Sequence, residues 1–320
     1  MNSTMKICAA ALALTLAPAA ARAAELQTAD PIARGLKESD FPRLKQLEPN
    51  VYSFEVLRPS DPGKFKTTVD MIVVTSSGVL VADGQGNVEA TQKLVAAIKK
   101  LTPQPIKYVV VGSEHDDHTG GNSAFKAAFP NVVFIASPAS QKALAASATP
   151  PTETVAGGKR DLRLGETDIE ILNLGRAHTG GDLSVYVPGP NAPSTGVLFM
   201  SEIYDHRLFP SMARAFPSEW LETIARNQTI PAKWVFGGHG FVDDPDTMKT
   251  ELEAFRVEIV AVIAEARRLH DGHVPCNSTQ DCEAASKADW GPYANWSEKP
   301  IQATPAIVRI YQELDGKLPK

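Results

Sequence analysis

The chain contains few cysteines: three in 320 residues, one of which, Cys8, lies in the N-terminal apolar segment. It therefore lacks the paired Cys-x-x-Cys motifs of a structural zinc site. The other two, Cys276 and Cys282, are spaced to close a small loop, and we predict a disulfide of the kind that forms in an oxidising compartment. A thiol-based metal site that also uses His270 and His273 is the alternative.

An excess of positive charge is also absent. The formal net charge is −5 and the isoelectric point is near 5.8. Such a chain has no basic field for a phosphate backbone, which argues against nucleic acid as a partner. Beyond the first 23 residues no apolar run is long enough to cross a membrane, so we expect no membrane span in the mature chain.

The first 23 residues are typical of a cleaved export signal. Lys6 precedes an apolar segment at residues 7–20, and Ala21-Arg22-Ala23 provides the small residues of a cleavage site. A membrane anchor is the alternative, but the apolar segment is shorter than the ~20 residues that a spanning helix needs. We therefore predict a mature chain that begins near Ala24 and is periplasmic or secreted.

Strand and helix patterns alternate along most of the remaining chain. Period-two alternation or a short apolar run predicts strands at residues 51–57, 69–75, 79–82, 106–111, 132–136, 162–174, 183–187, 196–200 and 234–236. Helical periodicity predicts helices at residues 88–101, 123–129, 137–147, 218–228, 245–270 and 306–314. Residues 24–47 are predicted to form a polar arm, and residues 271–299 a loop stapled by the disulfide. This interleaving favours an α/β sandwich of four layers, with two sheets face to face and helices outside.

Four of the seven histidines, His115, His118, His178 and His239, follow predicted strands and lie beside glycine. Asp117 and Glu202 occupy the same kind of position. Glycine lets the backbone turn sharply there, so that side chains from several strands converge on one rim of the fold. Imidazole and carboxylate groups brought together in this way predict a metal site.

The loop Ser113-Glu114-His115-Asp116-Asp117-His118-Thr119-Gly120-Gly121 resembles the metal-binding loop of the metallo-β-lactamase superfamily, usually written His-x-His-x-Asp-His-x-Gly-Gly. The resemblance covers roughly residues 51–255 and implies a four-layer αββα sandwich. It makes residues 24–320 a single domain of this kind, with a C-terminal helical extension.

The resemblance also implies the ligands of two metal positions. Asp117, His118 and His239 would hold the second metal, and His115 and His178 the first. Glu202 falls where the family commonly has an aspartate that bridges both metals. One or two zinc ions are implied, with iron as the alternative.

Two residues depart from the family pattern. Ser113 replaces the first histidine of the loop, and a hydroxyl is a poor zinc ligand. Glu202 is one methylene longer than aspartate, and could reach further into the first position. Glu114 is adjacent to the missing ligand, but alternation along an extended segment points it away from Ser113. Asp83 matches the acid that braces the loop in the family, although it could also be an ordinary turn residue before Gly84.

The implied function is metal-dependent hydrolysis of an ester, lactone, amide, β-lactam or related bond of a small molecule, through a metal-bound hydroxide. Asp117 would be the catalytic residue that orients the attacking water and passes a proton to the leaving group. Two alternatives remain: an exported non-hydrolytic metal-binding accessory protein with a degenerate site, and an iron-dependent oxidative enzyme on the same fold.

Substrate contacts are harder to predict from the sequence. Thr119, His206 and Arg207 are candidates, although a solvated loop after Glu202 would explain the last two equally well. Residues 58–66 form either a flap over the site or a plain hairpin loop.

Overall fold

The computed structural model describes residues 28–61 and 63–319. The predicted export signal at residues 1–23 lies outside the described residues. Within the described part of the chain, no helix combines the length and the apolar character needed to cross a membrane.

The strands of the described chain are β1 (Arg43–Glu48), β2 (Val51–Pro59), β3 (Phe65–Thr75), β4 (Gly78–Ala82), β5 (Ile106–Val110), β6 (Val133–Ala136), β7 (Glu153–Thr154), β8 (Gly158–Leu164), β9 (Thr167–Asn173), β10 (Ser184–Val187), β11 (Gly196–Phe199), β12 (Ala232–Phe236) and β13 (His239–Gly240). The α-helices are α1 (Val88–Leu101), α2 (Asp116–Thr119), α3 (Asn122–Ala128), α4 (Pro138–Ala143), α5 (Pro217–Gln228), α6 (Pro245–Asp271), α7 (Ala284–Lys287) and α8 (Lys299–Leu314). Short 3-10 turns lie at Glu38–Asp40, Pro193–Thr195, Ser201–Ile203 and Gly291–Tyr293.

The strands form two sheets. In the first, β1 to β7 are neighbours in chain order and β13 pairs with the free part of β3; in the second, the order is β12-β11-β10-β9-β8. The pairs β4–β5, β5–β6 and β11–β12 are parallel, and most of the other pairs are antiparallel. Parallel neighbouring strands end at the same edge of a sheet. The residues that follow these strands therefore lie close together at that edge.

The core has two layers because the central strands are covered on both faces. On β3, Ile72 packs outward with Leu94 and Ile98 of α1, while Met71 and Val73 face the second sheet. Successive side chains of a strand point to opposite faces, so a strand buried on both faces reads as a continuous apolar run. The predicted four-layer α/β sandwich is therefore confirmed.

The predicted polar arm is wrong at its C-terminal end. Residues Arg43–Glu48 form strand β1, which pairs antiparallel with β2 at the edge of the first sheet. The side chains of β1 remain largely exposed or half-buried, which explains why its hydrophobic pattern was too weak to predict a strand.

The predicted disulfide is confirmed: Cys276 and Cys282 are joined by a bond of 2.04 Å. It closes a small loop after α6, within the segment that was predicted to be loop. That segment nevertheless contains α7 and the 3-10 turn Gly291–Tyr293.

Glu258 on α6 is a buried carboxyl group whose oxygens have no hydrogen-bond partner among the described residues. Burial, and then the nearby Asp205 carboxylate, raise the pKa of Glu258 well above its ordinary value of 4.5. Above pH 4.5 the folded state keeps a proton that the unfolded state loses, so this group lowers the free energy of unfolding by up to about 1.4 kcal/mol per pH unit.

We expect Glu258→Met to raise the free energy of unfolding by about 1–3 kcal/mol at pH 8, because a buried polar group without a partner is destabilising. At pH 4 the gain should be smaller, since below its ordinary pKa of 4.5 Glu258 is largely protonated in the unfolded state as well as in the folded state. Urea unfolding at both pH values measures the difference, with the exposed Glu253 on the same helix changed to Met as a control that gives no such gain. The same gain at both pH values would contradict this account.

Candidate metal centre

The six metal-ligand candidates come from segments that end on one rim of the sandwich. His115, Asp117 and His118 follow β5, with Asp117 and His118 on the one-turn helix α2. His178 follows β9, Glu202 lies in the 3-10 turn after β11, and His239 begins β13. The structure brings all six together in two adjoining clusters.

The first cluster consists of His115, His178 and Glu202. The Nδ1 atom of His115 lies 2.9 Å from Oε2 of Glu202 and 2.9 Å from Nε2 of His178. The same Nε2 of His178 lies 3.2 Å from Oε2 of Glu202. Three donor atoms therefore surround one point at nearly equal separations.

The second cluster consists of Asp117, His118, His239 and Glu202. The Nε2 atoms of His118 and His239 are 3.3 Å apart, and Nε2 of His239 lies 3.1 Å from Oδ2 of Asp117. Oε1 of Glu202 lies 3.7 Å from His118 Nε2 and 3.4 Å from His239 Nε2. The glutamate thus turns one oxygen toward each cluster.

Ser113, in the loop that follows β5, contacts Glu202 directly. Its hydroxyl donates a hydrogen bond of 2.5 Å to Oε2, the oxygen that faces the first cluster. Ser113 is fully buried, so this contact is shielded from water. One carboxylate oxygen of Glu202 therefore lies within the first cluster, and the hydrogen bond from Ser113 orients it there.

Groups behind the clusters orient the imidazole rings. Nδ1 of His239 lies 2.9 Å from the carbonyl oxygen of Thr67; a carbonyl only accepts, so Nδ1 carries the proton and Nε2 presents its lone pair to the cluster. Nδ1 of His118 lies 3.3 Å from Oδ2 of Asp83. Asp83 also accepts hydrogen bonds from the amide of Gly112 and the hydroxyl of Ser201, so it braces the loop.

Two consecutive glycines allow the segment before His239 to approach the rest of the site. A Cβ atom at Gly237 would lie 1.6 Å from the carbonyl oxygen of Tyr204, and one at Gly238 would lie 2.8 Å from the His118 ring. Backbone atoms cannot yield at such a distance, so Gly237 is required for this approach.

The two clusters perturb each other's protonation strongly. Burial alone would raise the pKa of Glu202, but the His178 and His118 rings hold it well below its ordinary value. Burial opposes the charged form of His178, yet the carboxylate of Glu202 outweighs it and raises the pKa of His178 to about 9. For Asp117 burial is likewise outweighed, chiefly by its contact with the His239 ring, and the pKa lies far below its usual range.

These residues fit divalent metal ions. Ring nitrogens face one another across each cluster, and Nδ1 of His239 already carries that ring's proton. Nitrogen and carboxylate oxygen are the donors that zinc prefers, in sets of three or four. Glu202 would contribute one carboxylate oxygen to each of the two sets.

Other residues around the clusters were not foreseen from the sequence. Lys66, Asp205 and Glu298 line the cavity in front of the two clusters, and Arg58 places Nη1 3.1 Å from Oδ2 of Asp117. Burial raises the pKa of Asp205 to about 6. Asp205 could have been predicted from the sequence, because it follows Glu202 by three residues. Nothing in the sequence points to Lys66 or Glu298.

Neither expectation for His206 and Arg207 is correct. Both side chains are buried, and so neither contacts substrate nor lies in a solvated loop. His206 approaches the carbonyl oxygen of Phe241 at 2.6 Å and pairs with Glu251 of α6, as does Arg207. These contacts anchor the loop after Glu202 to α6.

Glu114 and Thr119 also face away from the clusters. The Glu114 carboxylate accepts hydrogen bonds from Ser140, Thr179 and Arg214, as the alternation of the segment predicted. The Thr119 hydroxyl donates to the carbonyl oxygen of His115 at 3.0 Å, which closes the turn of α2.

Comparisons with known proteins agree with this geometry. The chain is 20% identical over 219 residues to a metallo-beta-lactamase type 2 from Elizabethkingia meningoseptica, covering 68% of this chain and 86% of that protein. It is 22% identical over 231 residues to a metallo-beta-lactamase type 2 from Bacillus sp. (strain 170), covering 67% and 82%.

Among solved structures, a metallo-beta-lactamase from Pontibacter korlensis superposes with a TM-score of 0.57 at 23% identity, covering 67% of this chain and 98% of that chain. At this identity the likeness shows the fold. The family model described as the metallo-beta-lactamase superfamily matches residues 68–239. Since that match spans more than half of the chain and includes all six clustered residues, the protein belongs to the metallo-beta-lactamase superfamily.

Proposed function

We propose that this protein is a zinc-dependent hydrolase that holds two ions and cleaves an ester, lactone, amide or related bond of a small molecule. The observation that carries the proposal is the Glu202 carboxylate, which turns one oxygen toward each of two clusters of donor atoms. His115 and His178 would complete the first position, and Asp117, His118 and His239 the second.

When bound, the ions supply a hydroxide nucleophile at neutral pH and polarise the bond under attack. The protein's own residues supply orientation and proton transfer. Asp117 lies at the cavity, with its side chain 21% exposed. Its carboxylate orients the attacking water and relays the proton that this water loses to the leaving group; because its pKa is low, Asp117 holds that proton only transiently.

The position of Asp117 is held from two sides. Arg58 and His239 both approach its Oδ2 atom at 3.1 Å. The hairpin that carries Arg58 thereby reaches the site. Fixing a proton-transfer group in this way lowers the entropic cost of reaching the reactive geometry.

We further propose that the protein is exported. The disulfide between Cys276 and Cys282 supports this, because such bonds persist in oxidising compartments. The apolar pattern of residues 7–20 supports a cleaved signal. Mass spectrometry of the protein recovered from the periplasm or medium, with a mature N-terminus near Ala24, would test both points.

Metal content tests the hydrolase proposal directly. We expect close to two zinc ions per chain after dialysis of the wild type. In Ser113→Ala one ion should bind about 10–100-fold more weakly, the usual effect of losing an outer hydrogen-bond partner of a metal ligand. Elemental analysis and titration with a chelator measure both quantities.

Ser184→Ala is a matched control. Ser184 is a buried serine that belongs to neither cluster, and its hydroxyl donates a hydrogen bond of 2.7 Å to Asn227. This variant should retain both ions at wild-type affinity. A wild type that binds no metal would contradict the proposal in favour of a degenerate accessory protein, and iron in place of zinc would favour the oxidative alternative.

A further inference from the structure

A cavity of about 140 Å³ lies in front of the two clusters, and part of its wall comes from the C-terminal extension. Besides the metal-ligand candidates, its charged lining consists of Lys66 on β3, Asp205 and Glu298. Among the described residues that line it, Lys66 is the one lysine or arginine. Glu298, immediately before α8, lies outside the segment that matches the family.

Lys66 is neutralised by Glu298. Its Nζ atom lies 3.0 Å and 3.2 Å from the two carboxylate oxygens of Glu298. Both side chains are largely shielded from water, at 14% and 6% exposure. Because the two opposite charges lie only 3.0 Å apart, their fields largely cancel at a distance, so an approaching anion meets little net attraction from Lys66.

Glu298 is held in place by further contacts with the β2–β3 hairpin. Its Oε1 atom accepts a hydrogen bond of 2.9 Å from Ser60, and its amide donates one of 2.9 Å to Asp61. The backbone of Glu298 is left-handed, at φ 66°. The hydrogen bond from Ser60 thus holds the carboxylate of Glu298 beside Lys66, and the hydrogen bond to Asp61 holds its backbone.

We propose that Glu298 is a specificity-determining residue that neutralises Lys66 and so directs the site toward uncharged acyl substrates and against those that carry a carboxylate. Asp205, buried in the same wall, acts in the same direction. This inference rests on the proposed hydrolase function, since it concerns the substrate of the same site.

The test uses Glu298→Gln, which keeps the shape and an acceptor for Ser60 but removes the charge. The probes are p-nitrophenyl acetate, which is neutral, and p-nitrophenyl hemisuccinate, which carries a carboxylate. We expect Glu298→Gln to raise the ratio of kcat/KM for the anionic over the neutral ester by about tenfold, the effect of one unmasked charge at a partly buried site.

Two further variants separate a charge effect from a structural one. Lys66→Met combined with Glu298→Gln removes both charges and should return the ratio to its wild-type value. Glu48 also forms an ion pair, with Lys233 at 2.9 Å, but neither residue lines the cavity. Glu48→Gln should therefore leave the ratio unchanged. An unchanged ratio in Glu298→Gln, with acetate hydrolysis retained, overturns the inference and leaves the hydrolase proposal intact.

Binding provides a readout that does not depend on turnover. Benzoate, measured by calorimetry on the zinc-loaded protein, should bind Glu298→Gln about tenfold more tightly than wild type. Equal affinities overturn the inference whether or not any ester is hydrolysed. Absence of hydrolysis in the wild type, together with tighter benzoate binding by the variant, overturns the proposed function alone.

Discussion

Replacing Asp117 with alanine is expected to lower kcat for p-nitrophenyl acetate and for a chromogenic cephalosporin by about 10²–10⁴-fold, the usual contribution of a positioned proton-transfer group. Asp117 is the more exposed of the two acids of the second cluster that line the cavity, and it is held by Arg58 and His239. The variant loses the carboxylate that accepts the proton of the attacking water.

Because Asp117 is also a metal-ligand candidate, the rate must be expressed per bound ion. Elemental analysis of the same samples provides that correction. Asp116→Ala is the matched control: Asp116 is the adjacent acid of α2, and its side chain is exposed. Wild-type activity in Asp117→Ala, or an equal loss in Asp116→Ala, would contradict the role assigned to Asp117.

Glu202→Gln is expected to weaken metal binding at both positions at once. The substitution keeps the size of the side chain but removes the negative charge that faces four histidines from a nearly fully buried position. The loss should exceed the roughly 10–100-fold that removal of an outer partner causes, because a direct ligand is affected. Chelator competition, followed by elemental analysis after dialysis, measures the affinity and the stoichiometry.

Glu114→Gln is the control for this experiment. Glu114 lies in the same loop, but its carboxylate faces Ser140, Thr179 and Arg214. It should therefore retain both ions. If Glu202→Gln lost only one ion, the two clusters would be independent and the carboxylate would not serve as their common ligand.

Local patterns in the sequence predicted most of the secondary structure. Helix α1 was predicted at residues 88–101, its observed bounds, because an amphipathic helix against a sheet repeats its apolar residues with helical periodicity. Strands β5, β11 and β12 were predicted to within a residue or two, because a strand buried on both faces is a short apolar run. The two-residue strand β13, which begins at His239, was not predicted. Strand β1 was missed because its side chains remain largely exposed.

The ligand candidates were equally visible in the sequence, because each follows a predicted strand and the four histidines also lie near glycine. The spacing of His115, Asp117 and His118 places all three at one end of β5, whatever the rest of the chain does. His178, Glu202 and His239 required one further assumption, that the strands of both sheets end on the same rim.

The sequence by itself therefore determined the fold class, the family and the six residues that converge, since these follow from short-range periodicity and from a motif. Tertiary structure alone decided what surrounds them. It buried His206 and Arg207 against Glu251, and it paired Lys66 with Glu298 across 232 residues of chain. Such pairings depend on how distant segments pack, and burial and charge compensation arise only once that packing exists.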